Sequence, residues 1–330
     1  METLEAMLDL APIELPNFRV RRYRGDNLCL PISEFLEEDQ DRLRKLYTYL
    51  QQLLAILEGD HASASISRLE EFLKIQTPDS LADLVREFGA ASYAARPSPN
   101  LAKTIHDLRG GGLTPLIGQL QIAQWMRVTE ATANALYFLS RDHLKIMRNA
   151  LLGLDDVKRE ADLLPKAHST DFIVKKWQGA TLRGPRFDVR LQVECLQATA
   201  ISECCVEFGA LDRILYNLIN NACRHTAGHT IRLVLFPVPQ PDGENLRFVL
   251  TNSVSTADLA HLRTLNLGML FEEGYSTTGS GYGLAIATEF VSHAFGLKNP
   301  SQAIEGGYLG AAILDVEFAV WFHWPRLLED

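Results

Sequence analysis

Two stretches decide how the C-terminal half of this chain folds: Leu211-Asp-Arg-Ile-Leu-Tyr-Asn-Leu-Ile-Asn-Asn-Ala-Cys-Arg-His-Thr226 and Phe271-Glu-Glu-Gly-Tyr-Ser-Thr-Thr-Gly-Ser-Gly-Tyr-Gly-Leu-Ala-Ile-Ala287. In the first, apolar positions 211, 214, 215, 218, 219 and 222 share one helix face, while Asn217, Asn221 and Arg224 share the other. Asparagine is a mediocre helix former, so two on one stripe point to a task other than helix stability. An amide oxygen is a hard neutral ligand that suits Mg2+, which binds few protein groups and completes its shell with phosphate and water. Alone, the stripe reads equally well as a solvated polar face. The second stretch tips the balance: Gly279, Gly281 and Gly283 alternate directly before a helix. Glycine lets the main chain approach an oxyanion, and the helix start beyond it offers unpaired N–H groups, so a phosphate is expected there. The pattern lacks the Gly-Lys-Ser/Thr of a Walker loop and the immediately preceding strand of a dinucleotide fingerprint.

Around these stretches helix and strand alternate. Phe187-Asp-Val-Arg-Leu-Gln-Val alternates apolar and polar as a half-buried strand does, whereas Ile231-Arg-Leu-Val-Leu-Phe and Leu246-Arg-Phe-Val-Leu continue as apolar runs. Residues 211–222 and 283–295 step as helices, and 312–321 reads as a closing strand. An α/β sandwich with helices on one face of a mixed sheet is expected.

Upstream the pattern is helical. After a start containing Pro12, Pro16 and Arg19-Val-Arg-Arg-Tyr23, Leu43, Leu46, Leu50, Leu53, Leu54 and Leu57 trace an amphipathic helix ending near Gly59, and shorter helices follow at 66–75 and 81–88. Ala95-Arg-Pro-Ser-Pro-Asn100 marks a boundary. Beyond it a hairpin is expected, with one arm on Leu101, Ile105, Leu108, Leu113, Leu116, Leu120 and Ala123 and the other on Met147, Ala150, Leu154, Val157, Ala161 and Leu164, ended by Pro165. Two helices cannot cover both apolar stripes, so a second copy is expected to complete a dimeric four-helix bundle. The fold class is thus α+β multidomain: a helical region over 1–97, a hairpin over 98–165 and the sandwich over 166–330.

Composition bounds the function. The 330 residues suit two domains or more, and 47% hydrophobic with 22% charged content fits a globular chain. A formal charge of -9 opposes binding to nucleic acid. No apolar run is long enough for a membrane span, and Met1-Glu-Thr-Leu-Glu5 lacks the positive start of a secretory signal, so a cytoplasmic protein is expected. Cys29, Cys195, Cys204, Cys205 and Cys223 show no Cys-x-x-Cys spacing and read as reduced thiols.

In order and spacing the two stretches resemble the ATP-binding domain of the histidine kinase, gyrase, MutL and heat-shock-chaperone superfamily (GHKL), most closely its histidine kinase branch. Asn217-Leu-Ile-Asn-Asn-Ala-Cys-Arg-His-Thr is similar to that family's N box, Phe271-Glu-Glu-Gly-Tyr-Ser-Thr to its F box, and Gly279-Ser-Gly-Tyr-Gly-Leu to its G2 box. The resemblance implies a sandwich of Bergerat type over residues 165–325, with ATP and Mg2+ bound. Asn221 would ligate the metal, Asn217 and Arg224 would face the phosphates, Gly279, Gly281, Gly283 and Leu284 would wrap them from a lid, and His225 would lie beside the nucleotide. Asn252, after Phe248-Val-Leu-Thr251, stands where the family has an Asp that accepts from the adenine amino group. Its amide oxygen can still accept, without charge assistance. Val254 replaces an expected glycine.

The resemblance extends to Lys103-Thr-Ile-His-Asp-Leu-Arg109, similar to the phosphoacceptor H box. It implies that His106 takes the γ-phosphoryl group, with Asp107 orienting the imidazole or accepting its proton, and that the chain is a sensor histidine kinase passing the group to a response-regulator receiver domain. Gly110-Gly-Gly112 replaces the Thr or Asn that phosphatase-competent relatives carry and should kink the arm below His106. Two other readings stay open: a phosphotransfer or scaffold protein that has lost ATP, and a serine kinase of the anti-sigma type. His143, His168 and His261 read as packed or exposed residues, and Ala227-Gly228 is expected to end the helix between His225 and His229. Glu272 and Glu273 diverge in direction and read as lid surface.

Overall fold

The computed structural model describes residues 2–11, 15, 23, 28–58, 62–95, 98–240, 243–274 and 281–327. Most of the proline-containing start, Gly59, Pro97, Gly279 and the end of the F box lie outside the described residues. Contacts divide the chain into two units, residues 28–162 and residues 1–27 with 163–330. That division differs from the sequence expectation on the N-terminal side. The first helix, α1 (Glu2–Leu8), joins the C-terminal unit, and no boundary falls near residue 97.

The unit of residues 28–162 carries α2 (Glu37–Leu57), α3 (Ala62–Ile75), α4 (Pro78–Glu87), α5 (Ala90–Ala94), α6 (Pro99–Arg109), α7 (Leu113–Trp125), α8 (Glu130–Ala150) and α9 (Asp156–Asp162). A short parallel pair, β1 (Leu30–Pro31) with β2 (Leu151–Leu152), closes it. The leucine stripe of α2 is buried as expected, Leu43, Leu46, Leu50 and Leu53 being fully inaccessible. That stripe meets α8, while α3 meets α7, and α2 with α3 and α7 with α8 also pack as neighbours. The four-helix bundle is therefore completed within one chain. The expectation that a second copy must cover the hairpin is corrected at Leu113, Leu116 and Leu120, which are fully buried here.

The second arm is corrected as well. It is α8, capped by the Thr129 hydroxyl accepting from Thr132 N–H at 3.1 Å, and it stops at Ala150. Leu151, extended at φ -125° and ψ 103°, ends the helix and begins β2, and Val157 and Leu164, which continued the stripe in sequence, are 82% and 61% exposed. A bidentate Arg148–Asp162 pair at 2.6 and 2.8 Å holds α9 to the end of α8 instead.

Asp39 ties the first helices together from a fully buried position. Its carboxylate accepts from Gly89 N–H at 2.8 Å, and from Ser92 N–H at 2.8 Å and Ser92 O–H at 2.6 Å, at the start of α5.

The C-terminal unit is a six-stranded sheet in the order β4-β5-β7-β8-β10-β9, built from β4 (Thr181–Arg183), β5 (Asp188–Cys195), β7 (Thr230–Gln240), β8 (Gly243–Ser253), β9 (Leu309–Leu314) and β10 (Glu317–Pro325). Only β5 and β7 run parallel; the other pairs are antiparallel. A side pair joins β3 (Pro165–Ser169) to β6 (Ala200–Cys204). The helices are α10 (Thr170–Trp177), α11 (Cys205–His225), α12 (Thr256–Leu262), α13 (Gly283–Ala294) and α14 (Ser301–Glu305). The single closing strand expected over 312–321 is a hairpin, turning at Asp315 with φ 56°.

The alternation of β5 follows the sequence, with Val189 and Leu191 fully buried. The apolar runs of β7 and β8 have a reason the sequence did not reveal. Val234, Phe236, Val238 and Val249 face away from α11 and α13, and Met7, Leu10 and Ala11 pack over them with Ala319 and Trp321. The fully buried Arg247 secures this cover, donating to the carbonyls of Met7 at 3.0 Å, Leu8 at 2.6 Å and Ala11 at 3.2 Å, and to His323 Nε2 at 2.9 Å. A guanidinium with planar, rigidly spaced donors can cap two carbonyls at the end of α1 and one just beyond it at once, which keeps its burial from being prohibitive. With both faces covered, the middle strands are apolar throughout.

Candidate functional site

The apolar face of α11 is buried against the sheet, which leaves its Asn217, Asn221 and Arg224 stripe pointing away. Asn217 is buried and donates through Nδ2 to Arg213 O at 2.9 Å, so its amide oxygen is held on the opposite side. The start of α13 stands there. A Cβ added to Gly283 would lie 3.3 Å from both Asn217 Oδ1 and Asn221 Nδ2, closer than ordinary van der Waals contact. Gly281, at φ 74°, turns the chain into that helix. The first N–H groups of α13 have no intrahelical acceptors, so the amide stripe and a positive helix end share one small region. Leu284 is half-buried in the first turn, and Thr288 donates to its carbonyl at 2.9 Å.

Two residues that the sequence reading left without a role build the floor. Thr226 Oγ1 lies 3.2 Å from Gly228 O and 3.3 Å from Ser253 O and accepts from Gly228 N–H at 3.1 Å, while Ala227 N–H donates to Ser253 O at 2.8 Å. Arg186 donates to Thr226 O at 2.8 Å. These bonds lock the C-terminal end of α11 to the end of β8, where Asn252 sits. The visible signal was a threonine directly after the last helical residue; nothing local marked Arg186.

Asn252 is buried on the helix side of the sheet, since side chains alternate along β8 and Val249 faces the other way. Its Nδ2 donates to Ser253 O at 3.2 Å, which leaves the amide oxygen as the acceptor. His225 and Arg224 end α11 and are solvent-exposed. Partial burial lowers the His225 pKa, and the charges of Arg224 and Arg186 lower it further against the opposing pull of Asp258, which favours the neutral imidazole. A chain of negative total charge thus keeps cations at this rim.

His106 lies in the other unit, half-buried in the last turn of α6. The break expected after it is present: α6 ends at Arg109, Gly111 has φ 41°, and α7 begins at Leu113. Asp107 is 1% exposed, because successive helical residues point about 100° apart and its direction is into the bundle. Arg109 fixes the turn, donating to Arg86 O at 2.9 Å and to Phe88 O at 2.7 Å. His143 is buried, His261 lies in α12, and α11 ends at His225, ahead of His229.

Residues 208–312 match the family described as histidine kinase-, DNA gyrase B-, and HSP90-like ATPases. This segment spans both Asn217 with Asn221 and Gly281 with Gly283. No curated protein matches the chain. Among solved structures, the chain is similar to the catalytic domain of histidine kinase ThkA, at 15% identity over 48% of this chain and 86% of that one, with a TM-score of 0.28. It is similar to full-length ShkA in complex with AMPPNP, at 18% identity over 76% of this chain and 46% of that one, with a TM-score of 0.29. Histidine kinase AdeS of Acinetobacter baumannii matches at 13% identity over 77% of this chain and 98% of that one, with a TM-score of 0.29.

Proposed function

We propose that this chain is an ATP-dependent protein histidine kinase of two-component signalling, with His106 as the phosphoacceptor. The observation that carries the reading is the approach of Gly283 to Asn217 and Asn221 inside the segment that matches the ATPase family. The site fits a metal-chelated triphosphate: a Cβ at Gly283 would press on the two amides, and the Asn217 oxygen is turned toward the start of α13. Asn221 is assigned to Mg2+, which when bound would neutralise phosphate charge. Asn217, Arg224 and the N–H groups after Gly281 and Gly283 are assigned to the phosphates, Leu284 to the lid, and Asn252 to the adenine amino group. His225 would lie beside the nucleotide as a neutral ring.

In the transfer, an imidazole nitrogen of His106 attacks the γ-phosphorus, the bond to the bridging oxygen breaks, and ADP leaves. Asp107 is assigned the role of orienting the ring or taking its proton. The phosphoryl group then passes to an aspartate of a receiver domain, a transfer between proteins in the cytoplasm. Among the described residues no helix is long and apolar enough to cross a membrane. A homodimer would pair through the outer surface of the α7–α8 hairpin, where Trp125 is 85% and Met126 67% exposed.

One feature favours the rival reading, an ATP-independent phosphotransfer or scaffold protein. Asn252 offers an uncharged acceptor, roughly halving the strength of the bond to adenine. Incubation with γ-labelled ATP and Mg2+ separates the two. Acid-labile, base-stable label that disappears in His106→Gln is expected; absence of nucleotide binding at millimolar ATP would sink the kinase and leave the rival.

A further inference from the structure

Cys205 is the first residue of α11, and its Sγ lies 3.6 Å from His168 Nε2. The other ring nitrogen, Nδ1, lies 3.0 Å from Ser202 Oγ. The arrangement is fixed by the fold: His168 on β3 and Ser202 on β6 are direct register partners. The ring is stacked on Phe208 with centroids 4.7 Å apart and meets Phe172 edge-on at 5.8 Å. Neither ring nitrogen points into an apolar wall. A thiol, an imidazole and an orienting hydroxyl thus form a chain at the start of a long helix. Nothing in the phosphoryl chemistry uses them.

The neighbouring thiols are different. Cys204 directs its Sγ toward Tyr23 O at 3.8 Å, and burial raises its pKa. Burial pushes the Cys223 thiol up to about 12. Cys205 is 7% and His168 5% exposed, behind a Phe172 that is 44% exposed. The adjacent buried carboxylate of Glu207 is engaged by Glu203 N–H at 2.7 Å.

We propose that Cys205, with His168 as its base and Ser202 as the group that positions the ring, is a modification site for hydrogen peroxide. Nε2 of the neutral imidazole takes the thiol proton. The thiolate sulfur attacks one peroxide oxygen, the S–O bond forms as the O–O bond breaks, and the departing hydroxide leaves as water with the proton from Nε2. Sulfur is oxidised by two electrons to a sulfenic acid and the peroxide is reduced to water; an excess of small thiol reverses the change through a mixed disulfide. The added oxygen sits at the root of α11, the helix that later carries Asn217 and Asn221. Only this last consequence rests on the nucleotide reading.

The test uses the full chain, reduced and then exposed to hydrogen peroxide in the presence of dimedone, with the adducts on all five cysteines followed by peptide mass spectrometry. The expected result is dimedone on Cys205 at least tenfold faster than on Cys29 or Cys195, which are more exposed. His168→Gln should slow Cys205 at least fivefold, and Ser202→Ala should slow it less. Label confined to Cys29 and Cys195 in the unaltered protein would overturn the proposal without any variant, as would an unchanged Cys205 rate in folded His168→Gln. The readout involves no nucleotide, so a kinase that fails to bind ATP could still pass it.

Discussion

The helical unit and the sheet unit bury their apolar surface in opposite ways relative to what their sequences announce. In the helical unit the periodicity of α2 and α7 identifies the buried faces but not their partners, and the partners are the chain's own α8 and α3 rather than a second copy. In the sheet unit the motifs bring their own geometry: an amide stripe and a glycine-led helix start must meet for either to have a use, and they do at Gly283. The difference teaches that a chemical motif constrains tertiary contacts, while an apolar stripe constrains only that some contact exists.

Arg247 gives the sharpest way to break the contrast. Arg247→Ala leaves the carbonyls of Met7, Leu8 and Ala11 without that donor and opens a cavity beneath α1, at a cost of about 3 kcal/mol or more to the sheet unit. Denaturant unfolding should show the loss in the sheet unit, with residues 28–162 unchanged by hydrogen exchange. An equal loss in both units would mean that they do not unfold separately.

Next in size is Gly283→Val, whose side chain would push on Asn217 and Asn221. Titration with Mg-ATP should show affinity falling at least tenfold, about 1.4 kcal/mol, with little change in melting temperature. Unaltered affinity would remove the nucleotide from this region.

The smallest effect is in pH. Burial first, then the charge of Arg247, lowers His323 from 6.5 to about 3. Its neutral form is favoured in the fold, so that stability is full above pH 6.5 and is lost as pH falls through the window down to about 3. Burial raises the Asp39 pKa, but the bonds from Ser92 and Gly89 outweigh it and the net direction is down from 3.8, so the helical unit keeps this contribution until the pH falls below that value. Calorimetry at pH 5 against pH 7 should therefore lower the melting of the sheet unit by a few degrees and spare the helical unit, and His323→Phe should abolish the difference. Equal acid sensitivity of the two units would contradict it.

Much of the site was legible in advance because its parts are local. The helix of Asn217 and Asn221, the helix start at Gly283 and the break at Gly110–Gly112 each depend on residues within a few positions of one another. Thr226 and Arg186 escaped notice because their bonds join segments far apart in the chain. The second arm was misplaced because Leu154, Val157, Ala161 and Leu164 continue the heptad step of Met147 and Ala150 past the end of α8, where the chain leaves the helix to pair as β2.

By itself the sequence determined the helices around 43–57, 211–222 and 283–295 and the strands of β5, β7 and β8, which of their faces are apolar, and that an amide stripe and a glycine-led helix start occur in one segment. Those properties follow from side-chain direction and backbone preference over a turn or two. Tertiary structure alone decided that α1 closes the back of the sheet, that the bundle is completed in one chain, and that His168 meets Cys205. Each of these is a choice among apolar or polar surfaces of similar chemistry, settled by how the whole chain can be packed at once rather than by any local preference.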